Sequence, residues 1–218
     1  MSILDVDSYF DQLVRAIEQM PVATVNKIVG VLLEAYDLNR MVFLFGNGGS
    51  AALASHFVCD LGKGATNGSS KRFRALAFTD NVPLMTAWAN DARYDDIFAE
   101  QLINFVRPDD IVLAISGSGR SPNVIKALKV AREEGAFTIG LTGFQGGDMK
   151  SLCDLCLIIP SDNMQLIEDL TLASPTRYSP HFGQRFVSGP MSHCLKTPRY
   201  MKAVLYESAE IVCCTRDC

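Results

Sequence analysis

Apolar residues fall at helical spacing twice near the start of the chain. Over 6–20 they include Tyr9, Leu13 and Ile17, and over 23–39 Val25, Ile28, Val29 and Leu32. Pro21 stands between the two stretches and predicts a break. From residue 41 the rhythm changes to short continuous apolar runs, at 41–45, 75–79, 111–116, 137–142 and 156–160, most of them ending in Gly, Ser, Thr or Asp. Helical patterns lie between the runs, clearest at 51–61, 97–105 and 122–134. Continuous apolar strands alternating with helices predict a parallel sheet covered on both faces. The expected fold is therefore α/β: a doubly wound, five-stranded parallel sheet preceded by two helices, with its ligand site beyond the carboxyl ends of the strands.

A last helix is predicted from Asp162 or Asn163 through Met164, Ile167, Leu170 and Leu172, and it should stop near Ala173 because Pro175 follows. The remaining 174–218 differ in character. They hold four of the nine prolines, four of the seven cysteines and two of the three histidines. They also carry six Lys/Arg against three Asp/Glu, where 1–173 carry fourteen against twenty-one. The chain is accordingly divided into a body, 1–173, and an atypical tail, 174–218.

Composition narrows the classes of function. A net charge of −4 without a clustered basic face argues against nucleic acid as a partner. No apolar run approaches the roughly 20 residues that span a bilayer, so no membrane partner is expected. Nor does the start of the chain have the form of a signal peptide. Seven cysteines, an odd number, fit free thiols in a reducing cytoplasm. Cys153 and Cys156 have redox spacing, but they fall where a buried strand begins and are expected to pack.

Two loops carry candidate chemistry. The first strand runs into Gly46-Asn47-Gly48-Gly49-Ser50 and directly into a helix. Glycines permit a sharp turn close to a ligand, and the helix start favours an anion; a plain strand–helix turn is the alternative. The third strand ends in Ser116-Gly117-Ser118-Gly119-Arg120-Ser121-Pro122-Asn123, again before a helix. Ser121 alone would serve as an ordinary N-cap, but three hydroxyls exceed what capping needs and point to phosphate. His56 and Asp60 sit four apart on one helical face, where they can share a metal or a proton or form a simple surface pair. Asn90 and Asp91 either contact sugar hydroxyls or close a helix, and Glu168 reads by itself as a solvated helix position.

These stretches resemble the sugar isomerase (SIS) domain family, and within it the phosphoheptose (sedoheptulose 7-phosphate) isomerases. The motifs are GNGGSAALASHFVCDL at 46–61, TDNVPLMTAWANDARYDDIF at 79–98, ISGSGRSPNVIKAL at 115–128 and IPSDNMQLIEDL at 159–170. The resemblance covers 1–173 and implies a flavodoxin-like sheet and a homotetramer with sites between subunits. It also implies a phosphorylated sugar as substrate, proton transfer between C1 and C2, and zinc nearby. By the same resemblance Asn47, Gly48, Gly49, Ser50, Asn90 and Asp91 would contact substrate. Ser116, Gly117, Ser118 and Ser121 would form the phosphate loop, with Gly117 where the isomerases often have threonine. His56 would be a zinc ligand. Asp60 replaces the glutamate that binds metal and acts as base, and Glu168 replaces a glutamine that touches metal and substrate.

One departure is larger. The family's second catalytic residue, a histidine eight positions after the Glu168 site, is here Thr176, which cannot shuttle protons near neutral pH. Binding apparatus is thus retained more fully than catalytic apparatus, and a non-catalytic sugar-phosphate-binding regulator stands as the alternative function. Codons permitted for 173–183, read in another frame, spell Ile-Ala-His-Ala-Leu-Phe-Thr-Ala-Phe-Arg, an amphipathic helix with a histidine. The expectation is that 174–218 arise from a frameshift in the gene or its sequencing. His181 and His193 in the tail are read as solvated loop residues.

Overall fold

The computed structural model describes residues 5–66 and 71–173. The tail, and with it Thr176, His181, His193 and the frameshift expectation, lies outside the described residues. The elements run α1 (Val6–Glu18), α2 (Val22–Asp37), β1 (Met41–Gly46), α3 (Gly49–Gly62), β2 (Arg74–Ala77), α4 (Val82–Asp91) and α5 (Ala99–Phe105). They continue with β3 (Ile111–Ile115), α6 (Pro122–Glu133), β4 (Phe137–Thr142), α7 (Met149–Leu152), β5 (Leu155–Ile158) and α8 (Met164–Ala173). Pro21 caps α2, as its fixed φ and missing N–H allow. Asp5 caps α1 by accepting from the Ser8 amide at 2.7 Å.

All five strands are parallel, in the order β2-β1-β3-β4-β5. Strand alternation sends Val42, Leu44, Ile111, Leu113 and Ile115 into a core with α2, α3 and α8. Phe43, Phe45, Val112 and Ala114 enter a second core with α5 and α6 on the other face. Both faces of the central strands β1, β3 and β4 are dry, which is why these runs are continuously apolar. The chain leaves β1 toward β2 and then returns to place β3 on the other side. This reversal opens a crevice between the carboxyl ends of β1 and β3, the usual ligand position in such sheets. Among the described residues no single helix is long and apolar enough to cross a membrane.

The differences from the sequence reading are local. The edge strands β2 and β5 each sit about one residue earlier than the apolar runs at 75–79 and 156–160. The predicted helix over 97–105 opens only at Ala99, because Tyr94–Asp96 is a separate 3-10 turn. α4 had no distinct pattern, and it has no buried residue.

Candidate functional site

The β1–α3 connection turns at Gly48, whose φ of +55° suits glycine, and α3 begins at the next residue. Ser50 is buried in the first turn of that helix. On the neighbouring strand, the β3–α6 loop holds Ser116 and Ser121 with their hydroxyl oxygens 3.1 Å apart. The Ser118 hydroxyl accepts from the Arg120 amide at 3.3 Å. Ser121 occupies the N-cap of α6, yet its side chain makes no capping bond. Its hydroxyl faces Ser116 instead, so the loop gathers hydroxyls rather than spending them on the helix. An anion there meets hydroxyl donors and the positive end of α6 together.

α8 crosses the carboxyl ends of the strands and closes the site on one side. Its contacts are tight: a Cβ placed on Gly143 would stand 2.2 Å from Ile167, one on Gly117 2.5 Å from Met164 Sδ, and one on Gly49 2.9 Å from Glu168 Oε1. Glu168 is therefore half-buried over the first loop, contrary to the solvated position suggested by its helix alone. Met164 fills the space that a threonine at 117 would need. A hollow of about 550 Å³ lies between α3 and α8, lined by Gly49, His56, Asp60 and Glu168 among others. In it His56 Nε2 and Asp60 Oδ2 are 3.4 Å apart, with His56 exposed and Asp60 half-buried.

Other predicted residues fall elsewhere. Asn90 and Asp91 end α4 in solvent and bond to each other at 2.7 Å. Asn47 is engaged by Asn123 and Tyr94, neither singled out by the sequence reading. Asn123 was legible only as the residue after Ser-Pro. Its role depends on a partner 76 positions away.

His56 and Asp60 offer two neighbouring donors, and Glu168 faces them, but among the described residues no three such groups converge on a point that could hold a metal. Zinc takes four ligands, three of them from protein even in open sites. Among the described residues His56 and Asp60 thus supply two of the donors a zinc ion would need, and no chemistry is routed through one. The sulfurs of Cys153 and Cys156 both approach Gly140, at 2.8 and 3.4 Å from a Cβ placed there. Burial pushes their thiols up to about 12 and about 11, the wrong direction for a redox pair. A second hollow, of about 570 Å³, opens at the opposite ends of the strands. Its arginines are paired internally, Arg40 with Asp109 at 2.9 Å and Arg132 with Asp154 at 3.6 Å.

Residues 8–143 match the SIS domain family. The chain is a member of that family. This chain is similar along most of its length to several phosphoheptose isomerases. The phosphoheptose isomerase of a Bradyrhizobium species is 40% identical over 152 residues, which are 70% of this chain and 76% of the relative. That of Aliarcobacter butzleri is 38% identical over 162 residues, covering 73% and 84%. Among solved structures, the phosphoheptose isomerase GmhA from Neisseria gonorrhoeae superposes with a TM-score of 0.74 at 28% identity, over 82% of this chain and 97% of that one. The enzyme from Francisella tularensis gives 0.75 at 26%, over 85% and 99%.

Proposed function

We propose that this SIS domain is an aldose–ketose isomerase of the phosphoheptose type, with a phosphorylated sugar as substrate. The observation that carries the reading is the hollow in which Asp60, His56 and Glu168 meet Gly49, beside the serine loop on the next strand. The phosphate would lie on Ser116, Ser118 and Ser121 at the start of α6, and the open-chain sugar would extend toward Asp60. Asp60 takes a proton from C1 of the ketose to give an enediol, and returning a proton to C2 gives the aldose. Glu168, facing the pair across the hollow, is placed to move the hydroxyl proton between O1 and O2. His56 beside Asp60 keeps the carboxylate in position. Zinc at His56 and Asp60 would need further donors from water or from a neighbouring chain.

Copies of this chain assemble in this reading, since α1 exposes Val6, Phe10 and Val14 on one face and α4 has no fully buried residue within the subunit. Asn90 and Asp91, at the exposed end of α4, would reach a substrate in such an assembly. The free thiols suit the cytoplasm. A second reading, a sugar-phosphate sensor without turnover, is favoured by the departures of this sequence at Asp60, Glu168 and Thr176 from the isomerases' glutamate, glutamine and histidine.

Incubation of the purified chain with sedoheptulose 7-phosphate separates the two. Isomerisation is expected, with kcat/KM reduced about tenfold or more by Ser118→Ala, the loss of a hydrogen bond to a charged group. Binding of the sugar phosphate without turnover, in the presence or absence of added zinc, would establish the sensor instead.

A further inference from the structure

Asn123 is the second residue of α6 and only 1% exposed, so its amide must find partners inside the protein. It finds three bonds. Its Oδ1 accepts from the Val124 amide at 2.9 Å and from Asn47 Nδ2 at 2.9 Å, and its Nδ2 donates to Asn47 Oδ1 at 2.8 Å. The two side-chain amides thus pair reciprocally, which fixes both in plane as well as in distance. Asn47 Oδ1 also accepts from the Tyr94 hydroxyl at 3.0 Å. Asn47 follows the last residue of β1, and Asn123 follows Ser121-Pro122, so this pair ties the β1–α3 loop to the serine loop across the crevice.

We propose that Asn123 is a positioning residue that, together with Tyr94, clamps Asn47 and sets the spacing between the two loops. This rests on the reading of the site as one for a sugar phosphate. Such a ligand has two ends: a phosphate on the serine hydroxyls and a polyol reaching the Gly49, Asp60 and Glu168 end. Its affinity depends on the distance between the loops, because both ends must be satisfied by one rigidly spaced set of donors. Inorganic phosphate occupies the serine loop alone and is indifferent to that distance. The clamp also takes up both lone-pair directions of Asn47 Oδ1, leaving the second Nδ2 hydrogen as the side chain's remaining polar contact for a ligand.

Calorimetric titration of the full chain with inorganic phosphate and, separately, sedoheptulose 7-phosphate tests the clamp. Asn123→Ala is expected to weaken sugar-phosphate binding by about tenfold, and Tyr94→Phe by roughly threefold, the scale of one or two neutral hydrogen bonds. Phosphate affinity should stay unchanged in both. Tyr94 is 57% exposed, so Tyr94→Phe leaves the fold intact and decides the matter should Asn123→Ala fail to fold. Equal loss for both ligands would reduce Asn123 to a structural role, and unchanged sugar-phosphate affinity in the variants would remove the clamp while leaving the proposed function in place. A wild-type chain that binds phosphate but not the sugar phosphate would overturn the function and the clamp together.

Discussion

Gly119 shows how much of this site is decided by single residues. Its φ is +66°, and a Cβ there would stand 2.2 Å from the Gly146 carbonyl oxygen. Its own carbonyl accepts from the Met149 amide at 3.1 Å, which packs the serine loop against the start of α7. Gly119→Ala is expected to cost roughly 1–3 kcal/mol for the backbone conformation alone, with the clash adding to it. Urea unfolding checks this, and a variant as stable as the wild type would contradict the geometry. At this scale the sequence was partly legible. Hydroxyl density marked Ser116, Ser118 and Ser121 because local chemistry exceeded local need. Asn123 and Tyr94 carried no such mark, since their partners are distant in sequence. The local pattern around Glu168 suggested only a solvated position for the same reason, since its surroundings come from Gly49, across the fold, and it was the family resemblance that singled it out.

Among the elements, α8 matters most to the site, and it is held from outside by α1. The Tyr9 hydroxyl bonds to the Asp169 carboxylate, and this bond together with burial and the negative charge pushes the Tyr9 hydroxyl from 10.0 up to about 12. A raised tyrosine pKa means that the folded state prefers the neutral form. The contribution to stability is therefore complete below about pH 10 and is lost as pH rises toward 12. Tyr9→Phe should lower Tm at neutral pH, and the gap from wild type should narrow over that alkaline range; a gap independent of pH would rule the linkage out. The central strands were readable because burial on both faces leaves a continuous apolar run. β2 and β5 were displaced because edge strands are only partly covered. α4 showed no distinct apolar pattern because only Met85, Trp88 and Ala89 face the core, each of them partly buried.

Over the described residues the centre of the sheet is fully covered and the exterior incompletely so. Val6, Phe10 and Val14 are 69%, 57% and 53% exposed on one stripe of α1, at i, i+4 and i+8. In the proposed assembly this stripe meets another copy. Phe10→Glu should then shift the species seen by sedimentation to a smaller one without unfolding the subunit, and an unchanged sedimentation coefficient would exclude α1 as the contact. The Tyr9–Asp169 bond joins residues 160 positions apart, and this bears on the order in which the protein is made. α1 leaves the ribosome first, and its partner helix, bearing Glu168, emerges only after all five strands. Until then the sheet can form but the hollow has no far wall, and the inward side of α1 waits uncovered. The acid that completes the site arrives with the last described helix, so a chain cut short before residue 164 would display the serine loop and Asp60 in full but lack Glu168, the group placed to carry the hydroxyl proton from one oxygen to the other.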